Sequence, residues 1–258
     1  MSMNSRLKVG VSIFYKPTDE LKKRLGKYKF LLPINAGSGL KTDDWVTKNC
    51  EFDDSGDNIS NLNPWFNELT ALYWMWKHQD EIGNPTHLGL FHYRRMFPLD
   101  TADKWMENDI TTANPITFPG KTLIQQYNRF HILSDLDKFF QAVKDVHGEG
   151  ESSFIQTYMD SMVMNFAPLN MFVMKKRYFD EWCEYMFPVA FELEKLIGRN
   201  VLDSRDNYQR RAICFLVERL FGFWSYEKRL ECSFAQVPVV ENLEWKPPKV
   251  NERGDFSR

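Results

Sequence analysis

Four side chains suited to anions, His92, Tyr93, Arg94 and Arg95, stand together at the end of an apolar run. The stretch 86–97, THLGLFHYRRMF, reads as a buried strand that empties into them. In open α/β sheets ligands bind outside the carboxyl ends of the strands. A guanidinium there engages phosphate or carboxylate through two parallel hydrogen bonds. The cluster is therefore a candidate anion site, with an edge strand and a solvated basic turn as the alternative.

Three titratable side chains stand in or beside apolar helical text: Glu68, His131 and Glu218. Glu68 lies three and four residues from Trp65 and Leu72, beside an apolar helical stripe, where an unpaired carboxylate is costly. It is expected to pair with a base or to hydrogen-bond a ligand. Tyr127 and His131, four apart, point into one site if their segment is helical, although a lone histidine is more often structural. Arg211 and Glu218, seven apart, share one face of a helix with few polar residues. They either form a structural bridge, the preferred reading for Arg211, or reach an active site.

Positioning these groups requires a framework, and the sequence supplies one. Residues 7–15 and 28–34 read as strands around a helix-like 19–25, a β-α-β opening. Strands alternating with helices predict a mainly parallel sheet with right-handed crossovers. Residues 35–39, NAGSG, form a turn whose backbone N–H groups can approach a ligand. Residues 53–63, rich in Asp, Asn, Ser and Gly, read as a loop. Asn63 then caps a helix with Pro64 at its first position, and Trp65, Leu69, Leu72, Tyr73 and Trp76 make its buried stripe.

Further strands are expected at 110–118, broken by Pro115, and at 170–174. Ser134 is expected to cap a helix that buries Leu136, Phe139, Phe140, Val143 and Val146, with Asp135 and Asp137 complementing its dipole. Helices follow at 154–162, at 178–197 with a break at Pro188, and at 207–223, where Ala212, Leu216, Leu220 and Phe223 form the buried face. Residues 246–258 read as a frayed tail after a single domain spanning 1–245.

Composition narrows the class. The 258 residues carry a net charge of -2, which removes the electrostatic case for a general nucleic-acid binder. Any anion recognition must be local. The 8 Trp, 10 Tyr and 21 Phe suit aromatic-lined pockets. Cys50, Cys183, Cys214 and Cys232 show neither paired spacing nor a nearby histidine, against a zinc site or disulfide framework. The first fifteen residues lack the apolar core of a secretory leader, and no run approaches a membrane span. The expected class is a cytoplasmic enzyme that touches the inner membrane, if at all, through its substrate.

Read together, GDNISNLNPWFNELTALYWMWKH, LGLFHYRRMF, QQYNRFH, NMFVMKKRYFDEWCEYMFPVAFELEK and RRAICFLVERLF resemble a family of bacterial proteins from capsule, O-antigen and exopolysaccharide loci. That family, first catalogued by an uncharacterised domain, is linked to glycosyltransferase activity and has galactofuranosyltransferase-like members. Cys214 departs from its pattern, which has glycine there. The resemblance implies a GT-A-like α/β fold with a helical C-terminal part. It also implies hexosyl transfer, expected to be inverting, from a nucleotide sugar such as UDP-galactofuranose to a glycan or lipid-linked glycan acceptor.

On that reading His92, Tyr93, Arg94 and Arg95 hold the donor diphosphate, the arginines replacing a divalent ion. One of Glu68, Asp57, Glu218 and His131 takes the acceptor proton. Asn58, Ser60 and Asn170 are suited to sugar or ribose hydroxyls, and Tyr93 or Trp74 to stacking on a ring. Mg or Mn held among Asp53, Asp54, Asp57 and Asp100 is the alternative for the diphosphate. A nucleotide-sugar hydrolase and a non-catalytic carbohydrate-binding or assembly protein are the rival functions; an epimerase is disfavoured because no GxGxxG follows the first strand.

Overall fold

The computed structural model describes residues 3–117, 120–161, 165–166, 169–237, 249–250 and 256–257. Its main sheet contains β1 (Leu7–Ile13), β2 (Leu31–Asn35), β3 (Glu51–Phe52), β4 (His87–His92), β5 (Ile110–Ala113), β6 (Phe172–Lys175) and β7 (Cys232–Ala235). These lie side by side in the order β3-β2-β1-β4-β6-β5-β7. All run in one direction except β6, which pairs antiparallel with β4 and β5. The mainly parallel α/β sheet is the architecture expected from the sequence.

One consequence of that topology sets the site. Reversal of β6 brings its amino end to the edge where β1, β2, β4 and β5 present their carboxyl ends. Leu90 pairs with Phe172, so the same register carried two residues further sets His92 opposite Asn170. The interior of β4 is buried throughout, with Leu88 and Leu90 in one core and Phe91 in the other. An unbroken apolar run is what a sheet covered on both faces requires. A side chain at Gly89 would run into the backbone of β6.

Helices α1 (Asp19–Lys27), α2 (Asp44–Asn49), α3 (Asn63–Phe66), α4 (Glu68–Lys77), α5 (Leu123–Phe130), α6 (Ser134–His147), α7 (Glu149–Asp160), α8 (Lys176–Ile197) and α9 (Ala212–Glu227) surround the sheet. The larger core joins Leu88 and Leu90 to α4, α8 and α9, and contains Trp74, Trp182 and Trp224. The smaller joins Val9, Val11 and Phe91 to Leu21 and Leu25 of α1, and to Phe97 and Trp105 beyond β4. Thr18 and Asp43 accept backbone hydrogen bonds at the starts of α1 and α2, satisfying N–H groups that the helices cannot.

Several expected boundaries shift for identifiable reasons. The helix expected from Asn63 breaks at Asn67 (φ 43°, ψ -121°), so Asn63 and Pro64 begin a single turn and Glu68 begins a new helix. The strand expected from residue 170 starts at Phe172, because Leu169 and Asn170 have positive φ of 84° and 47°. By contrast, α8 runs through Pro188 without a break. Pro188 and Glu184 both face solvent, so water can serve the Glu184 carbonyl that proline leaves unpaired. His147 Nε2 also donates to the neighbouring Tyr185 carbonyl at 2.9 Å.

Ser134 is the first residue of α6 rather than its cap, and no side-chain bond caps that helix. Asp135, expected to complement the dipole at the helix start, is 1% exposed. The second strand begins at Leu31, α7 begins earlier than expected at Glu149, and the last helix occupies Ala212–Glu227 after a turn at Gln209–Arg211. The strand expected over 110–118 divides, and Ile116–Thr117 pairs instead with Asn165–Phe166. Phe118 lies outside the described residues, as does the expected tail apart from an antiparallel pair, Lys249–Val250 with Phe256–Ser257.

Candidate active site

The carboxyl edge of the sheet gathers His92, Arg94 and Arg95 from the end of β4, Asn170 from the approach to β6, Glu68 from α4 and Glu218 from α9. Each arrives there for a local reason. Arg95 N–H donates to the His92 carbonyl at 3.0 Å, turning the chain sharply after β4. The break at Asn67 restarts the helix on Glu68, and the parts around it are tied down. Asn63 Nδ2 donates to the Asn67 carbonyl at 2.9 Å and to Thr70 Oγ1 at 3.0 Å. The Cys214 thiol donates to the Phe66 carbonyl at 3.1 Å.

Glu68 is 5% exposed and Asn170 4%. Asn170 Nδ2 donates to Glu68 Oε1 at 2.8 Å, so the partner expected for the buried carboxylate is an amide rather than a base. Asn170 is thereby occupied with protein. Its left-handed φ is one asparagine tolerates better than most residues. The same bend leaves the Leu169 carbonyl accepting from His92 Nε2 at 2.5 Å.

Glu218 is the most perturbed carboxyl of the group. Burial pushes it up to about 7 and the Glu68 charge acts in the same direction, while Arg219, the Leu169 backbone and Arg211 pull it down. Its side chain retains 14% exposure, and Arg219 Nη1 stands 4.0 Å from its Oε2. A carboxyl that changes charge near neutrality while still reachable has the profile of a general acid or base.

The arginines at the strand end are placed differently. Burial lowers the Arg95 pKa, and Arg94 lowers it further, while Tyr93 and Glu218 oppose the shift. Arg94 lies over the Tyr93 ring at 5.3 Å. Among the described residues neither guanidinium hydrogen-bonds or ion-pairs with the protein. His92 is corrected from the cationic cluster: burial lowers its pKa, and Nε2–H is committed to the Leu169 carbonyl. It is a neutral imidazole that ties β4 to the approach of β6. Tyr93, 5% exposed, is packed between Phe14 and Tyr15.

The remaining candidates sit elsewhere. Trp74 cannot stack on a sugar here: it is 2% exposed, its ring lies against His78, and its indole N–H donates to Ser55 at 2.8 Å. His131 is wedged among Tyr127, Tyr208 and Phe215, and burial, with Arg219 and Arg211, lowers its pKa to about 2. It is a packed neutral ring, too weakly basic to serve as the base. Asp57 is exposed and accepts from Tyr73 at 3.0 Å. Asn58 folds back on its own loop, and buried Ser60 donates to Asp53 at 2.5 Å.

The same loop accounts for NAGSG. Gly37 N–H donates to Asp53 at 2.9 Å, so it serves a buried carboxylate of the protein. Gly37 has φ 69°, and a Cβ there would come within 2.6 Å of the Asn63 side chain, so a larger residue would be strained. Of the other aspartates considered for a metal, Asp54 pairs with Lys41 and Asp100 accepts from Tyr28 at 2.5 Å. Among the described residues no group of three or more His, Cys, Asp or Glu converges to hold a metal ion. The cationic groups at the strand end are arginines.

One residue at this site escaped the sequence reading, and another sits differently from its expected place. Arg219 is 2% exposed; it donates to Gln126 at 2.6 Å and to the Phe215 carbonyl, with Tyr127 beneath it. An arginine inside the apolar text FLVERLF was the available signal. Arg211, expected in a bridge, ion-pairs with no carboxylate among the described residues and lies over Tyr208 and Phe215.

No curated protein matches the chain. Among solved structures, the apo form of the bifunctional glycosyltransferase WbbM is similar over 92% of this chain and 46% of its own, with a TM-score of 0.72 at 22% identity. That likeness shows a shared GT-A-like fold, and this chain spans less than half the length of that protein. Residues 20–229, which carry every side chain placed at the strand end, match the profile of the family described as Domain of unknown function (DUF4422), and the chain belongs to that family.

Proposed function

We propose that the protein is a glycosyltransferase that moves a sugar from a UDP-sugar donor to a growing bacterial surface polysaccharide, with galactofuranose the donor sugar suggested by the sequence resemblance. One observation carries the reading: two arginines that neither hydrogen-bond nor ion-pair among the described residues stand at the carboxyl edge of a GT-A-like sheet, near a carboxyl whose pKa burial raises. The WbbM likeness supports the fold on which such chemistry would run.

In this mechanism Arg94 and Arg95 bind the donor diphosphate and hold the charge that grows as the bond from the sugar's anomeric carbon to phosphate breaks. Ionised Glu218 removes the proton of the acceptor hydroxyl as that oxygen bonds the anomeric carbon, giving inversion. A pKa of about 7 leaves a large fraction of Glu218 ionised near neutral pH. Asn170 fixes Glu68, whose negative charge keeps Glu218 basic enough to take the proton. The acceptor is a glycan or lipid-linked glycan. Among the described residues no helix is long and apolar enough to cross a membrane, so contact with a lipid-linked acceptor would be peripheral, at the cytoplasmic face of the inner membrane.

Transfer from a panel of UDP-sugars to lipid-linked glycan acceptors tests this directly. The proposal expects an acceptor-dependent product that Arg94→Ala reduces at least tenfold while folding normally. Full transfer by that variant would remove the diphosphate role. Donor breakdown that ignores acceptor would point to a hydrolase, and glycan binding without any response to nucleotide would point to a binding protein.

A further inference from the structure

Arg211 acts electrostatically on Glu218 and has no role in the reading above. Its guanidinium centre is 5.4 Å from the Tyr208 ring and 5.3 Å from the Phe215 ring. His131 stacks on Tyr208 at an interplanar angle of 13° and rests against Phe215 at 4.1 Å. The two rings beside the guanidinium are thus themselves packed against a third. Its Nε is buried and finds no hydrogen-bond acceptor, yet the residue keeps partial exposure. Its charge is felt at Glu218, at Cys214 and at His131.

The charges around Glu218 do not balance. Arg219 and Arg211 act on it directly, and it acts in turn on Arg95, which Arg94 adjoins. Among the described residues named in these couplings, the acids are Glu68 and Glu218, which leaves two positive charges in surplus on that count, in a region where Glu68, Asn170 and Arg219 are buried. A nucleotide-sugar diphosphate carries two negative charges, and the nucleoside diphosphate that leaves carries more. Arg94, Arg95 and Arg211, none of them ion-paired with a carboxylate among the described residues, supply charge of the complementary sign.

We infer that Arg211 is a substrate-binding residue, the second jaw of an anion clamp whose first jaw is Arg94 and Arg95, and that the clamp grips a diphosphate rather than a single phosphate or a carboxylate. The inference rests on the donor-site reading above. The packed rings are part of the device, because a guanidinium confined against them loses less freedom when it forms its hydrogen bonds.

The test is titration calorimetry of the full chain with inorganic pyrophosphate, orthophosphate, UDP and uridine, comparing wild type with Arg211→Gln, Arg211→Lys and Arg94→Ala. Wild type should bind pyrophosphate and UDP well above orthophosphate. Arg211→Gln should weaken both by about tenfold or more, the loss of one charged hydrogen-bonding partner, while uridine binding stays unchanged. Arg211→Lys keeps the charge and the stem without the planar fork, and should recover part of the affinity. It also covers the case in which the glutamine variant misfolds. A folded Arg211 variant with wild-type affinity for pyrophosphate and UDP, while Arg94→Ala loses it, overturns the clamp and leaves the donor site standing. Retention of affinity in Arg94→Ala, or no binding by wild type, overturns both.

Discussion

Two buried charge constellations in this molecule are built on opposite terms. On α6, Asp135 is 1% exposed and receives both Arg205 Nη1 and Nη2 at 2.8 Å, with Arg205 itself 9% exposed. Both terminal nitrogens of Arg205 have an acceptor, and the bridge ties α6 to the segment preceding α9. At the carboxyl edge of the sheet, Arg94, Arg95 and Arg211 have no carboxylate partner among the described residues, and Glu218 is held near neutrality. A protein completes the pairs it needs for folding, because a half-satisfied buried charge is destabilising. Charges left incomplete where two positive-φ residues, Leu169 and Asn170, bend the chain are the ones available to a ligand.

Removing Glu218 should produce the largest functional effect. Glu218→Gln is expected to lower the transfer rate constant by about 10²- to 10⁴-fold, the span of general-base catalysis, with circular dichroism unchanged. A rate within twofold of wild type would make this carboxyl as structural as Asp135. The complementary variant, Asp135→Ala, should cost about 3–5 kcal/mol in chemical denaturation by leaving Arg205 buried and unpaired. Its folded fraction should still transfer sugar. Loss of turnover without loss of stability would blur the contrast between the regions.

Acid and base titrations sharpen the comparison further. A carboxyl raised from 4.5 to about 7 holds more protons folded than unfolded between those values, so its contribution to stability falls as pH rises through them. At about 1.4 kcal/mol per pKa unit, that is about 3 kcal/mol lost from acid to neutral pH, and Glu218→Gln should abolish this component. His131 acts with the opposite sign. Lowered from 6.5 to about 2, it binds fewer protons folded than unfolded, so stability falls as pH drops below 6.5. His131→Phe should keep the ring stack and flatten that acid limb. The check is denaturation at pH 5, 6, 7 and 8 for wild type and both variants.

The smallest expected effect is at the backbone break. Asn67 has φ 43° and ψ -121°, a conformation costing about 1–3 kcal/mol for a residue with a side chain. Asn67→Gly should therefore match or exceed wild-type stability, whereas Asn67→Ala should lose about 1 kcal/mol. A greater loss with glycine than with alanine would show that the side chain, not the backbone, holds the break.

How far the sequence reached differs between these regions. The apolar text of β1 and β4 and the alternation of strands with helices made the sheet readable, and HYRR marked the carboxyl end of β4. Periodicity also found the buried stripe around Trp65 and Leu72. It could not find the break at Asn67, since asparagine suits helix and turn alike and only contacts from Asn63 and Cys214 decide the matter. Pro188 misled in the other direction, because whether proline interrupts a helix depends on which way its freed carbonyl faces. Asp135 read as an ordinary helix-start acid. Its partner lies 70 residues away, a distance that local pattern does not span.

The site residues divide the same way. Glu68 and Glu218 stood out as carboxylates in apolar text, but their roles depend on neighbours brought by β6 and α9. Asn58, Ser60 and Trp74 looked like ligand groups because their chemistry suits sugars. Folding instead commits them to the loop around Asp53 and to the core. Arg211 read as half of a bridge because an arginine and a glutamate on one helix face usually are. Only the stacking geometry separates a guanidinium held for a ligand from one held by a carboxylate.

The central claim is that the incomplete charges at the strand end are completed by a donor diphosphate. Its most direct measurement is thermal stability against UDP-, GDP-, CMP- and dTDP-sugars in EDTA, for wild type and for Arg94→Ala/Arg95→Ala. The account predicts that UDP-sugars raise the wild-type melting temperature in EDTA and leave that of the double variant unmoved. An equal rise in the double variant, or a wild-type rise that appears only when magnesium or manganese is added, would contradict it.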